Sequence, residues 1–219
     1  MRERRLLPNS NLFSQIVICW FTRHSRDFPW RKTHNPYYIF VAEVLLRRTQ
    51  APRIIDSYKQ ITEKYPTPET LSKADVTELR KFFKPLGLIK RADCLIKAAK
   101  QIVNDYGGQI PCNLRAVASL PCMGIYSSRA VICMAFDAHV PMIDESSGRV
   151  LRRVFQIEPK GPAYSDKKLL DFALSIIPIG HAREFNLGLL DIASFFCHSS
   201  KPECLKCPLS KICYYARKT

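Results

Sequence analysis

The stretch Leu120-Pro121-Cys122-Met123-Gly124-Ile125-Tyr126-Ser127-Ser128, followed by an apolar run to residue 136 and then Val140-Pro141-Met142-Ile143-Asp144, frames the reading of the whole chain. Pro121 interrupts any helix before it and Gly124 opens the next, which leaves room only for a tight hairpin. Where a glycine opens a helix, the first backbone N–H groups lack intrahelical partners, so a phosphate can be held there without a side chain. Taken alone, Leu-Pro-x-x-Gly also suits an ordinary packed helix–turn–helix.

Outward from the hairpin, helical periodicity dominates. Between 89 and 106, apolar residues fall at Ala92, Leu95, Ile96, Ala99, Ile102, Val103 and Tyr106, one face of a 3.6-residue repeat that Gly107 and Gly108 stop. Comparable patterns predict helices over 12–21, 37–49, 54–65, 76–83, 127–136, 146–155, 167–177 and 183–196. Period-two alternation is nearly absent, and fifteen prolines punctuate the chain. The expected fold is all-α, about ten short helices joined by tight loops.

Four of the nine cysteines gather at the C-terminal end as Cys197-x6-Cys204-x2-Cys207-x5-Cys213. Four thiolates suit tetrahedral zinc or an iron–sulfur cluster; the single close pair between two longer arms favours the larger [4Fe-4S] cargo, with zinc, disulfides or no ligand as alternatives. No secretory leader is read: Arg2, Arg4 and Arg5 make a basic start, but Pro8, Asn9, Asn11, Ser14 and Gln15 break the apolar stretch. The thiols are therefore expected to be reduced and the protein intracellular.

With 219 residues and 47% apolar content, the chain can build one sizeable domain or two modest ones, and no apolar run spans a bilayer. Lys and Arg number 34 against 19 acidic residues, a formal net charge of +15. Such an excess suits a polyanion, because neutralising phosphates releases condensed counterions. A basic amphipathic helix for an anionic membrane is not found.

Leu-Pro-x-x-Gly, Asp144 twenty residues after Gly124, Arg149 and Val150 just beyond, and the four-cysteine loop together resemble the helix-hairpin-helix DNA glycosylase superfamily that includes endonuclease III. The resemblance implies two all-α lobes. A six-helix barrel over 35–137 carries the hairpin at about 114–136, and an iron–sulfur domain is built from 1–34 plus 138–219 with its cluster loop at 197–213. Cys197, Cys204, Cys207 and Cys213 are the implied ligands of a [4Fe-4S] cluster. Members that also cleave the strand carry a lysine two residues after the hairpin glycine, whose amine forms a Schiff base. Here that residue is Tyr126, so a monofunctional glycosylase is implied. Asp144 is the implied stabiliser of positive charge on the sugar; it also stands where a helix N-cap would.

Asp27-Phe28-Pro29-Trp30-Arg31, Asn35-Pro36-Tyr37 and Ala42-Glu43-Val44-Leu45-Leu46-Arg47-Arg48-Thr49-Gln50 are similar to the branch holding the MutY-type adenine and Mig-type thymine mismatch glycosylases. Glu43 lies one helical turn after Phe40 and one before Arg47. It either points into a pocket or pairs with Arg47 at the surface. Arg47-Arg48-Thr49, the segment Phe185-Asn186-Leu187-Gly188-Leu189-Leu190-Asp191 and a chain ending six residues after Cys213 look Mig-type. That resemblance implies removal of thymine or uracil opposite guanine from mismatched duplex DNA by a monomer, with an AP endonuclease acting downstream. It also implies DNA contacts from Arg47, Arg48, Gln50, Met123, Gly124 and Leu187, and catalytic roles for Glu43, Tyr126 and Asp144. Adenine removal, a non-catalytic DNA-binding module and a redox or zinc protein unrelated to DNA are the alternatives.

The chain departs from the family in two places. The hairpin usually reads Leu-Pro-Gly-x-Gly, and Cys122 replaces the first glycine; a positive φ there would strain a cysteine. Ser146 stands where Asn or His is common. Lys90, Lys201, Lys206 and Lys211 are phosphate contacts or solvated charges.

Overall fold

The pleated alternation missing from the sequence is missing from the molecule: the computed structural model is all-helical, with no strand among the described residues, 9–218. The basic start at Arg2, Arg4 and Arg5, and Pro8, lie outside the described residues. The chain divides into two compact units, residues 27–136 and residues 1–26 with 137–219. The first boundary falls at 27 rather than 35, because Trp30 stacks on Phe28 at 4.9 Å and meets the edge of Tyr58 at 5.4 Å. These rings fix the segment before the first helix of its unit into that unit's core.

Unit 27–136 holds α2 (Pro36–Leu46), α3 (Ile55–Lys64), α4 (Pro68–Ser72), α5 (Val76–Phe83), α6 (Lys90–Tyr106), α7 (Leu114–Ser119) and α8 (Ile125–Phe136). Asn35 caps α2, its side chain accepting from the N–H groups of Tyr37 and Tyr38, and Pro36 fits the first turn. Ile39, Phe40, Val41, Ala42, Val44 and Leu45 are all fully buried, so α2 is apolar around most of its circumference and forms the centre of the unit. It packs against α8, while α6 gathers α4 and α5. The helix expected over 37–49 ends at Leu46, where Arg48 turns into the left-handed region at φ 54°. The carbonyls of Val44 and Leu45 at the end of the helix accept from Arg91 Nη1 at 3.1 and 3.3 Å, a cap supplied from α6.

The other unit contains α1 (Ser10–His24), α9 (Glu145–Phe155), α10 (Lys167–Ile176), α11 (Ala182–Phe195) and the cysteine loop. Phe13 of α1 lies edge-on to Phe155 at 5.0 Å and Phe185 at 6.0 Å. Gly188 lets α11 close on α1: a Cβ there would sit 2.8 Å from the Val17 carbonyl oxygen. The buried carboxylate of Asp191 is satisfied by the backbone N–H of Arg26 at 3.0 Å and by its Nε at 2.5 Å. Among the described residues no helix is long and apolar enough to cross a membrane.

Candidate active site

Glu43 is the one acidic residue in the apolar α2, and it is 5% exposed. Loss of water pushes its carboxyl up to about 8, against the opposing influence of a hydrogen bond from Ser127 and the charge of Arg31. At neutral pH it is therefore mostly a carboxylic acid, able to donate as well as accept. Ser127 is on the first turn of α8, next to Tyr126, and the packing of α2 on α8 brings Glu43 to that turn. Tyr126 is half-buried at the second position of α8. The surface pairing of Glu43 with Arg47 is not what the structure holds, since Glu43 is buried. Arg47 reaches elsewhere, donating from Nη1 to the Cys122 carbonyl at 2.5 Å.

The hairpin runs from α7 through Leu120–Gly124 into α8. Met123 N–H closes its turn on the Leu120 carbonyl at 3.1 Å, and the Gly124 carbonyl accepts from the N–H and hydroxyl of Ser128 at 2.9 and 2.8 Å. Met123 and Gly124 are half-buried. Cys122 does take positive φ, 67°. Its sulfur is bonded to Cys94 of α6, so two of the thiols expected to be reduced form a disulfide in the structure. Arg47, which holds the Cys122 carbonyl, is exposed, as are Arg48 and Gln50. Arg91 is half-buried, and desolvation followed by the charges of Arg47 and Arg48 holds its guanidinium below the usual range. Three guanidinium groups within electrostatic reach of one another make this edge of the unit strongly attractive to an anion.

In the other unit, Asp144 caps α9. Its Oδ1 accepts from Ser147 N–H and Ser147 Oγ, both at 2.7 Å, and Ser147 Oγ in turn accepts from Asp144 N–H at 2.9 Å. Ser146 occupies the site of the family's Asn or His and donates to Oδ2 at 3.0 Å. The half-buried carboxylate therefore has a fixed orientation with both oxygens accepting. The segment leading to it is held by Asn186 of α11, fully buried, which accepts from Met142 N–H at 2.8 Å and donates to the carbonyls of Val140 at 3.0 Å and Ala182 at 2.8 Å. Leu187, expected to contact DNA, is 2% exposed. Its place on α11 turns it into the core and leaves it no surface to offer a duplex.

Cys197, Cys204, Cys207 and Cys213 line one cavity together with Val150, Arg153, Val154 and Leu209. Burial, then the neighbouring thiols, pushes Cys207 up to about 11. Burial, then the charges of Cys197 and Cys204, also raises Cys213. Arg153 Nη1 donates to Cys197 Sγ at 3.3 Å, and the N–H groups of Tyr214 and Tyr215 close onto the carbonyls of Val154 and Arg153 at 3.2 and 3.1 Å. Among the described residues no three His, Cys, Asp or Glu are grouped to hold one metal ion. Four thiols on one cavity are a donor set that either zinc or an iron–sulfur cluster can use. Of the four lysines, Lys206 pairs with Glu203 at 2.8 Å.

Residues 41–173 match the family described as HhH-GPD superfamily base excision DNA repair protein. The chain belongs to this superfamily. A thymine/uracil-DNA glycosylase of Methanothermobacter thermautotrophicus is 38% identical over 94% of each chain. A second, of Pyrobaculum aerophilum, is 36% identical over 94% of this chain and 92% of its own. The solved structure of a thermostable thymine-DNA glycosylase, 37% identical, superposes with a TM-score of 0.91 over 96% of this chain and 98% of that one.

Three residues of this superfamily member escaped the sequence reading. Asn186 and Arg91 act on backbone groups 44 to 47 residues away in sequence, and no periodicity encodes such reach. Asn186 had one trace, a polar residue on the buried face of α11. Cys94 had none, since its partner is 28 residues distant.

Proposed function

We propose that the protein is a monofunctional DNA N-glycosylase that removes thymine or uracil mispaired with guanine. The observation that carries this reading is Glu43, a carboxyl kept protonated by burial beside the first turn of α8, where Tyr126 stands in place of a Schiff-base lysine. The relatives that match nearly end to end are named thymine/uracil-DNA glycosylases, which supports the choice of base.

The mispaired base is flipped from the duplex, which costs less than flipping a Watson–Crick partner. The N1–C1′ bond breaks with its electron pair passing to N1, and a hydrogen bond or proton from Glu43 to the base offsets the developing negative charge. Asp144, held by Ser146 and Ser147, stabilises positive charge on the sugar and orients the water whose oxygen bonds to C1′. One water proton passes to Asp144 and on to solvent, which returns a proton to Glu43 or to the base, and the products are the free base and an abasic site, with the strand intact. The abasic site is the substrate of an AP endonuclease.

Arg47, Arg48, Gln50, Met123 and Gly124 form the DNA-contacting edge of their unit, with Arg47 also bracing the hairpin. Cys197, Cys204, Cys207 and Cys213 would hold a [4Fe-4S] cluster, which when bound would tie the C-terminal loop to the end of α11.

The test is incubation with end-labelled duplexes carrying single G·T, G·U, G·A or 8-oxoguanine·A pairs, scored with and without hot alkali. Breaks at T or U that require alkali are expected, with no borohydride-trapped complex. Breaks only at A assign adenine removal instead, and an inactive cluster-loaded protein leaves a DNA-binding module.

A further inference from the structure

We propose that Cys94 and Cys122 form a reversible disulfide that pins the hairpin in its phosphate-binding turn, a redox site that reacts with low-molecular-weight disulfides. The two residues are bonded, with Cα atoms 5.8 Å apart, within the span a disulfide bridges. Both are half-buried, so a small disulfide can reach them where a protein partner is not required.

The site coincides with a local weakness. Cys122 holds φ 67°, a conformation that glycine adopts freely and an L side chain resists. Nothing in the sequence Leu120-Pro121-Cys122-Met123 relieves that preference. Two contacts oppose it: Arg47 holds the Cys122 carbonyl, and Cys94 holds its side chain. Cys94 is a sound anchor, since α6 runs seventeen residues and packs on α4 and α5. The covalent tie thus restores, through a side chain, the turn that glycine would give through its backbone.

The chemistry balances as exchange. One thiolate attacks a disulfide RSSR and expels RS⁻; the second attacks the mixed disulfide and expels another. The protein loses two electrons, RSSR gains them, and the two thiol protons end on two RSH. In the reduced protein Cys122 is free to leave the left-handed region, and the hairpin must be ordered again when it binds phosphate. This last step rests on the proposed DNA-binding role of the hairpin.

The test uses cluster-loaded protein equilibrated in glutathione buffers of graded ratio. Differential alkylation with mass spectrometry maps Cys94 and Cys122, and thermal midpoint and affinity for a labelled G·C duplex are read on the same samples. The bond should form as the buffer becomes oxidising, raise the midpoint, and tighten duplex binding roughly fivefold, the factor expected from ordering one residue in advance. Cys94→Ala should behave as the reduced protein in every buffer. Cys122→Gly should bind tightly in all of them, because glycine needs no tie. The proposal is overturned if both thiols are alkylated throughout, or if the wild type and Cys94→Ala respond alike to the buffer. Should neither redox state bind duplex DNA, the proposed function fails, while the alkylation map and the midpoint still decide on the tie.

Discussion

Ser127 donates a hydrogen bond to the buried carboxyl of Glu43, joining the first turn of α8 to the middle of α2. The bond favours the ionised form and so moderates the effect of burial. Removing it by Ser127→Ala should shift the alkaline limb of the pH–rate profile upward from about 8, measured as single-turnover release of thymine from a G·T duplex. Glu43→Gln keeps a donor but has no proton to give. Its rate should drop about 10²-fold or more and lose that limb. A Glu43→Gln protein with an unchanged profile would remove Glu43 from the chemistry.

The same carboxyl links pH to stability. Glu43 releases its proton near 4.5 when unfolded and near 8 when folded, so between those values the native state binds more protons. The contribution of Glu43 to stability should be fully present below about 4.5, fall through the window and be lost above about 8, by an amount on the order of a few kcal/mol. Urea midpoints at intervals across the window check this. The difference between the wild type and Glu43→Gln isolates this fall, and a difference that rises with pH instead would contradict the buried acid.

At Asp144, capping and chemistry separate by substitution. Asparagine caps a helix as well as aspartate does, so Asp144→Asn should unfold within about 0.5 kcal/mol of the wild type. Its glycosylase rate should nonetheless fall about 10²- to 10³-fold, while duplex binding persists. Asp144→Ala should lose the cap too, at a cost of about 1 kcal/mol. Equal rates for Asp144→Asn and the wild type would confine Asp144 to capping.

Asn186 makes three hydrogen bonds from a fully buried site, two of them to the strand of chain that leads into Asp144. Asn186→Leu leaves Met142 N–H and the Val140 carbonyl without those partners. It should cost about 2 to 4 kcal/mol. Activity should fall in protein that still melts cooperatively, because the cap loses its lead-in. Calorimetry together with single-turnover rates at a temperature well below the midpoint distinguishes misplacement from unfolding.

Long amphipathic helices were legible before any coordinates: α6 ends at the glycines read as its stop, and its buried residues include Ala92, Leu95, Ile96, Ala99 and Ile102. The short α4 and α7 were not, since five or six residues carry too little periodicity; their signals were the caps at Thr67 and Asn113. The end of α2 was misjudged because Arg47 and Arg48 are good helix formers, and the reason for stopping lies partly in Arg91, half the unit away in sequence. At the candidate site, Glu43 was legible as a carboxylate in an apolar run, but its burial came from packing on α8. Leu187 shows the converse: a motif names a segment without telling which of its residues face outward.

The unit carrying α1 is assembled from both ends of the chain, whereas residues 27–136 form a continuous one. Emerging from a ribosome, α1 waits for α11, whose Gly188 it must meet, until all the helices between them have been made. Residues 27–136 need no such wait, so vectorial synthesis favours a nascent chain in which the Glu43 unit is already folded while Phe13 and Val17 remain exposed. An N-terminal helix with an apolar face and no partner is a natural client for a holdase chaperone during that interval.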